Sequence, residues 1–254
     1  MFSNIDEKSL SHIPAVKALM AFGYELLNQE ELKKKRVNPH NILLEDILIK
    51  KIKELNKNKI DLDDKDAKKA VYQLMDIKNS GLVKTNEEIY DLLTLGANIK
   101  KDFKSYNLKY IDWQEPKNNT YHVAFEVPVK TKLNTENVCD IVLFVNGIPF
   151  VVIENKSPSE SLDQAISQHL CNQGSDKIPQ LFYYAQILIA VNKNEAKYAT
   201  IGNSKKYWSI WREEEKQNID IIRNLINIPL PKKEKKLFIQ VILLLIEIIL
   251  IHKN

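Results

Sequence analysis

The feature that most constrains this chain is the segment DIVLFVNGIPFVVIENK, which spans residues 140–156. Its two apolar runs flank the dipeptide Asn146-Gly147, which is typical of the tight turn of a β-hairpin. The charged residues at the ends of this hairpin are Asp140, Glu154 and Lys156. Because unpaired charges are costly to bury, three of them at the ends of two apolar strands must have partners there.

The hairpin predicts that these three charges lie close together. Residues two apart in a strand face the same side of a sheet, so Glu154 and Lys156 share a face. An antiparallel hairpin can bring Asp140 close to Glu154. Two carboxylates and an ammonium group suit Mg²⁺, which is held by one or two carboxylates with water and phosphate oxygens. The lysine could then orient or deprotonate a water, or stabilise charge on phosphorus.

A purely structural interpretation of the same residues stays open. In it, Asp140 caps its strand, and Glu154 and Lys156 form a surface salt bridge. An acid followed at a distance by E-x-K is a short pattern that many unrelated proteins contain. The local pattern alone therefore does not decide between a metal site and a salt bridge.

The chain divides into three parts by pattern. Residues 1–107 are predicted to be helical. One predicted helix lies in "NPHNILLEDILIKKIKELNK", where Asn38-Pro39 is a start signal, and a later helix is predicted to end at Gly96. Residues 108–228 form the core, where the apolar period changes from 3.6 to 2. Residues 229–254 are a Pro/Lys linker and an apolar tail.

The core predicts an α/β (α+β) fold, with a mixed β-sheet flanked by helices and a helical N-terminal lead-in. A strand at "NTYHVAFEVPVKT" precedes the hairpin. The segment "SESLDQAISQHLCNQ" is then predicted as a helix, "QLFYYAQILIAVN" as a buried strand, and "KYATIGNSKKYWSIWRE" as strand and turn.

The apolar tail at 237–251 has three open interpretations. As a helix its 15 residues would span about 22 Å, which is shorter than the ~20 residues that cross a bilayer. It could be a core or partner-facing element, a sequence that no longer encodes its original continuation, or a membrane-associated segment.

Composition and charge set only loose limits on function. The net charge of +4 allows a nucleic-acid partner without demanding one. The two cysteines, Cys139 and Cys171, form neither a metal motif nor a disulfide framework, and the chain opens without a secretory signal. We therefore expect a cytoplasmic protein with no membrane partner.

A resemblance narrows the function. Several segments resemble the PD-(D/E)xK nuclease core. The central ones are "DIVLFVNGIPFVVIENKSP", "AISQHLCNQ" and "IPQLFYYAQILIAVN". They are followed by "AKYATIG" and "YWSIWRE" and preceded by "AFGYELL" and "NILLEDIL". More narrowly, they resemble the N-terminal nuclease domain of the type I restriction enzyme endonuclease (R) subunit, over about residues 10–235. The resemblance implies a restriction-endonuclease-like fold and a type I site-specific deoxyribonuclease. Such an enzyme hydrolyses DNA phosphodiesters with Mg²⁺ and metal-activated water.

The resemblance also assigns roles to individual residues. It implies that Asp140 and Glu154 are metal ligands and that Lys156 is the catalytic lysine. It further implies that Ile153 adds a backbone carbonyl to the metal and that Glu45 is a candidate further acid near the metal. Gln168 would be a DNA-binding residue. Gln168 matches the glutamine of the family's Q-x-x-x-Y motif, but the fifth position here is Asn172. Cys139 stands where the pattern has proline.

The same resemblance implies partners. Double-stranded DNA would be the substrate, and specificity and methyltransferase subunits would supply recognition. The chain contains no G-x-x-x-x-G-K-[ST] motif, so ATP would act only through motor domains absent from this sequence, and we expect a truncated subunit.

Two further functional hypotheses remain. The chain could be a non-cleaving module that docks on DNA or on partner subunits. It could also be an unrelated α/β protein, in which case Asp140 would lie more than about 8 Å from Glu154, too far to share one ion.

Other polar and aromatic residues of the core have simpler interpretations. Gln164 and Gln168 share a helix face, which could contact DNA or be an ordinary polar face. His169 points about 100° away from Gln168 on that helix. Trp208 and Trp211 are predicted as core packing residues.

Overall fold

A large mixed sheet forms the centre of the protein, seen here in a computed structural model that describes residues 19–20, 23–36, 40–157, 160–192 and 195–210. The strands of the described residues are β1 (Glu25–Leu27), β2 (Ala97–Lys101), β3 (Lys104–Leu108), β4 (Tyr121–Lys130), β5 (Glu136–Val145), β6 (Ile148–Asn155), β7 (Ile187–Val191), β8 (Ala196–Ala199) and β9 (Ser209–Ile210). The helices are α1 (Gln29–Lys35), α2 (Glu45–Asn56), α3 (Asp64–Met75), α4 (Leu82–Leu95), α5 (Leu162–Asn172) and α6 (Pro179–Tyr184). This architecture confirms the predicted α/β fold with a restriction-endonuclease-like core.

The sheet has seven strands in the order β1-β4-β5-β6-β7-β8-β9, and β2 and β3 pair separately. Strands β4, β5 and β6 are antiparallel neighbours, whereas β1 runs parallel to β4 and β7 runs parallel to β6. Parallel neighbours need a crossover, which α5 and α6 supply between β6 and β7. The predicted hairpin is thus the centre of the sheet, and its apolar runs are buried as expected of central strands.

The prediction that residues 1–107 are helical was incomplete. Four complete helices form in the described part of this region, and α4 is capped by the predicted Gly96. However, residues 25–27 form the edge strand β1, next to Gly23 at φ +89°, a backbone conformation that favours glycine. Strands β2 and β3 form a short polar hairpin, whose alternation of buried and exposed residues is too brief to outweigh a helical prediction.

Two helix boundaries also differ from the prediction. Helix α2 begins at Glu45 rather than near Asn38-Pro39, and residues 37–39 lie outside the described part of the chain. Part of the segment predicted as one long buried strand is instead helix α6. Pro179 stands in its first turn, where proline is favoured, so the strand is confined to β7.

The hairpin turn is fixed by close packing against α2. Asn146 and Gly147 have φ angles of +53° and +85°, which fits the Asn-Gly turn predicted from the sequence. The Asn146 side chain donates to the main-chain oxygen of Tyr110 at 2.8 Å. The Leu44 amide, just before α2, donates to the Gly147 carbonyl at 2.8 Å.

Gly147→Ala is expected to destabilise the protein by about 2 kcal/mol or more, because the residue needs a positive φ and the added Cβ would lie 2.6 Å from the Leu44 oxygen. Gly81→Ala is the matched control, since Gly81 also has positive φ but no atom within 4 Å of the added Cβ. Urea denaturation should show the larger loss at Gly147. Equal losses would mean that packing against α2 does not fix the turn.

Some predicted features lie outside the described residues. These are the linker and tail at 229–254, the final residues of the core after Ile210, and Trp211. Trp208 is buried, which confirms its prediction as a packing residue. Among the residues that are described, none of the helices combines the length and apolar character needed to span a bilayer.

Candidate active site

The β5–β6 hairpin brings Asp140 next to Glu154. Ile141 pairs with Ile153 in antiparallel register, so the two acids follow as the next positions on adjacent strands. The Asp140 Oδ2 atom accepts a hydrogen bond of 2.8 Å from the main-chain amide of Asn155, the residue after Glu154. The hypothesis of an unrelated α/β protein predicted that Asp140 and Glu154 lie far apart, and the structure does not show that separation.

Glu154 is a buried carboxyl group without a donor. Its relative exposure is 0%, and neither side-chain oxygen has a hydrogen-bond partner among the described residues. Burial raises the pKa of Glu154 to about 9; the charge of the Asp140 carboxylate adds to this shift, while Lys156 opposes it. Glu154 is accordingly protonated at neutral pH unless a cation takes the place of the proton.

Lys156 lies between the acids and helix α5. Its main-chain amide donates to the Val191 oxygen at 2.9 Å, which continues the pairing of β6 with β7 by one residue. Its Nζ lies 4.0 Å from Glu154 Oε2 and donates to Gln168 Oε1 at 2.6 Å. The ammonium group is thus held at the acids by a helix side chain.

Gln168 has a clear contact within the protein, although a DNA contact was predicted for it. Because its amide oxygen accepts from Lys156, its amide nitrogen is the group directed to other partners. The polar face of α5 that carries Gln168 is therefore part of the site, and its contact with DNA stays a prediction.

Asn172 occupies the position where the family motif has tyrosine. It is buried, and its Oδ1 accepts a hydrogen bond of 2.9 Å from Asn137 Nδ2 on β5, three residues before Asp140. One turn apart on α5, Gln168 and Asn172 therefore attach the helix to both strands of the hairpin. Sequence analysis did not find Asn137 or the Asn155 amide, because a lone asparagine and a main-chain group carry no motif.

The structure does not bring Glu45 into this cluster. Glu45 opens α2 and contacts the Asn41 side chain, and the preceding Leu44 bonds to the hairpin turn. No set of three or more His, Cys, Asp or Glu side chains in the described ranges is placed to hold one metal ion. Asp140 and Glu154 thus form a pair, and Ile153 lies directly before Glu154 on β6, paired with both β5 and β7.

His169 belongs to the packing behind the site. It is fully buried, its Nε2 bonds to the Ile189 oxygen at 2.8 Å, and its ring lies 5.3 Å from that of Trp208. Burial lowers the pKa of His169 to about 4, so the ring is neutral at physiological pH. This position suits packing between α5 and the sheet.

Comparison with known proteins gives this geometry a context. The family described as type I restriction enzyme R protein N terminus matches residues 4–207. A Methanocaldococcus jannaschii protein assigned as the type I restriction enzyme MjaIXP endonuclease subunit is 26% identical over 234 residues, which are 87% of this chain and 22% of that protein. The type I restriction enzyme HindI endonuclease subunit of Haemophilus influenzae is 27% identical over 144 residues, which are 54% of this chain and 14% of that protein.

The matches cover most of this chain but only a small part of its relatives. The chain spans about a fifth or less of the length of these relatives, so the similarity concerns one region of them. Within the chain itself the family match spans residues 4–207, which include the helical part and most of the sheet. The chain therefore belongs to the family of type I restriction enzyme R protein N-terminal regions.

Proposed function

We propose that this chain is the Mg²⁺-dependent DNA endonuclease region of a type I restriction enzyme and hydrolyses phosphodiester bonds of double-stranded DNA. The observation that carries the proposal is the buried Glu154 carboxyl, which lies beside Asp140 and Lys156 and whose two oxygens accept no hydrogen bond from the described part of the chain. Such a group is costly in a core unless it has a partner, and a divalent cation is the partner that two adjacent carboxylates suit.

The residues present fit a hard cation. Asp140 and Glu154 would supply carboxylate oxygens, and Ile153 could add its carbonyl oxygen. Oxygen-only donors with few protein ligands favour Mg²⁺, which keeps several waters and takes phosphate oxygens for the rest. When bound, Mg²⁺ would polarise the phosphate and make water a better nucleophile.

Lys156 has the chemistry and position for the remaining task. Its ammonium group carries donors that can bind a phosphate oxygen or orient a water next to the acids. The bond to Gln168 restricts the lysine to this position, which lowers the cost of ordering a flexible side chain when DNA binds.

The proposal extends to partners and place of action. The relatives are named as endonuclease subunits of type I restriction enzymes, so we propose that specificity and methyltransferase subunits select the DNA and that the protein acts in the cytoplasm.

Nicking of supercoiled plasmid by the full chain with Mg²⁺ or Mn²⁺ tests the function. We expect relaxed and linear DNA with the wild type, and none with Asp140→Asn or with EDTA. Cutting that survives Asp140→Asn would rule out the proposed site. An absence of cutting by the wild type, together with retained DNA binding, would favour the alternative of a non-cleaving docking module.

Gln168→Met is expected to slow cleavage by about tenfold, because the ammonium group of Lys156 loses its fixed position. Gln164→Met is the matched control, since Gln164 is an exposed glutamine one turn earlier on α5. Single-turnover cleavage rates compare the two variants. Equal rates for Gln164→Met and Gln168→Met would show that the bond to Lys156 has no part in the reaction.

A further inference from the structure

Helix α5 connects the candidate site to a pair of lysines outside it, Lys197 and Lys205. Gln168 on α5 contacts Lys156 after β6, and Asp163, near the start of the helix, contacts Lys197 on β8 at 4.0 Å. The five residue steps from Asp163 to Gln168 rise about 7.5 Å along the helix, and two strand spacings from β6 to β8 span about 9.6 Å. The helix therefore crosses these strands, and both lysines lie on the sheet face that it covers.

The strand register places Lys197 in line with the site. Glu154 pairs with Ala190, and Ala190 pairs with Lys197, so the three residues form one row across β6, β7 and β8. Residues in one row of a sheet face the same side. The Lys197 backbone thus lies about 10 Å from that of Glu154, with only an alanine side chain between them in the row.

A second lysine reaches the same carboxylate from the loop after β8. Lys205 Nζ lies 2.8 Å from Asp163 Oδ2, and the side chains of Lys205 and Asp163 are about half exposed. The hydrogen bond from Lys205 holds the pKa of Asp163 below its usual value, so the carboxylate is charged near neutral pH. Two ammonium groups share one carboxylate, which leaves one positive charge.

The surroundings of these lysines suit a polyanion. Lys206 follows Lys205, and its Nζ lies 4.7 Å from the centre of the exposed Tyr207 ring. Exposed ion pairs contribute little to stability, so folding does not require this cluster. Lysines flanking a site for phosphodiester chemistry are the usual means of neutralising DNA phosphates.

We propose that Lys197 and Lys205 bind backbone phosphates of the DNA strand that is cut, two or three nucleotides from the reacting bond. This inference rests on the proposed function. For Lys197 the separation follows from the distance of about 10 Å along the row and the axial rise of about 3.4 Å per nucleotide. Lys205 lies next to Lys197, because both ammonium groups contact the Asp163 carboxylate. In the free protein Asp163 neutralises one of the two charges, and the phosphates take its place when DNA binds.

Salt-dependent binding of a labelled duplex in EDTA tests this surface without any cleavage. For Lys197→Gln and for Lys205→Gln, we expect the plot of the logarithm of the binding constant against the logarithm of salt concentration to become shallower. The magnitude of its negative slope should decrease by about 0.9 in each variant between about 50 and 200 mM salt. Asp163→Asn should act in the opposite direction, with tighter binding and a steeper slope. Lys68→Gln is the matched control, because Lys68 is an exposed lysine of α3, away from β8.

The outcomes separate this surface from the catalytic site. Slopes for Lys197→Gln and Lys205→Gln that match Lys68→Gln would overturn the phosphate contacts, while plasmid nicking could still support the proposed function. Weaker binding by Asp163→Asn, with its thermal unfolding unchanged, would also overturn them. A wild type that binds no duplex at low salt would overturn the surface, and plasmid nicking would then decide the function separately.

Discussion

Glu154→Gln is expected to make the metal-free protein more stable at pH 8, by about 3 to 5 kcal/mol. The glutamine amide has the shape of the protonated carboxyl and carries no charge. It removes the cost of keeping a proton on Glu154, whose pKa rises to about 9 in the folded state because of burial and of Asp140. In the unfolded chain the same carboxyl loses its proton near pH 4.5.

The sign of the pH dependence follows from these two values. Between about pH 5 and pH 8, the folded state holds a proton on Glu154 that the unfolded chain does not hold. Above about pH 7, where His169 is neutral in both states, the stability of the wild type should therefore fall by about 1 kcal/mol per pH unit as pH rises, and this decline should be absent in Glu154→Gln. Urea denaturation across this range in EDTA measures both curves.

Asp66 on α3 offers a control of opposite sign. Hydrogen bonds from Lys101 and Lys69 lower the pKa of Asp66 to about 2, so its charged form stabilises the fold above the unfolded pKa of 3.8. Asp66→Asn should lower stability at pH 7 and leave the decline between pH 7 and pH 8 intact. A decline that persists in Glu154→Gln would mean that another group carries it.

Lys156→Met is expected to reduce the single-turnover rate of DNA cleavage by about 100-fold or more, which is the usual contribution of a positioned acid–base or charge-stabilising group. Methionine keeps most of the apolar stem and removes the ammonium group beside Glu154. Because the carboxylate pair remains, binding of Mn²⁺ should survive. Rates with excess protein over plasmid measure the effect on the chemical step.

Lys68→Met is the matched control for this substitution, since it removes an exposed lysine from α3. It should cleave at the wild-type rate. If Lys156→Met retained the wild-type rate, the lysine would be a structural partner of Gln168 and would have no part in the reaction.

The sequence was sufficient for the hairpin because its signals are local. The Asn-Gly turn predicts the hairpin, and the apolar runs require burial on both faces, so the two acids are expected near each other. A one-residue register shift between Leu143 and Phe144 then places Asp140 opposite Glu154, which the turn alone does not predict. The raised pKa of Glu154 was not predictable, because it depends on how completely the surrounding structure excludes water and donors.

The contacts between distant segments could not be predicted from the sequence, because they also depend on the surrounding structure. Strand β1 forms only by parallel pairing with β4, almost one hundred residues later, and nothing local distinguishes it from a helix end. The contacts of Asn172 with Asn137 and of Gln168 with Lys156 depend on where α5 lies on the sheet. Sequence analysis identified Gln168 by resemblance but could not identify the group it contacts.

Calorimetric titration with Mn²⁺ at pH 7.5, in buffers of different ionisation enthalpy, tests the central claim most directly. We expect binding that releases about one proton, because the cation replaces the proton of Glu154, and neither binding nor release at this site in Glu154→Gln. Absence of Mn²⁺ binding by the wild type, or binding of equal strength in Glu154→Gln, would contradict the claim that these two carboxylates form a metal site.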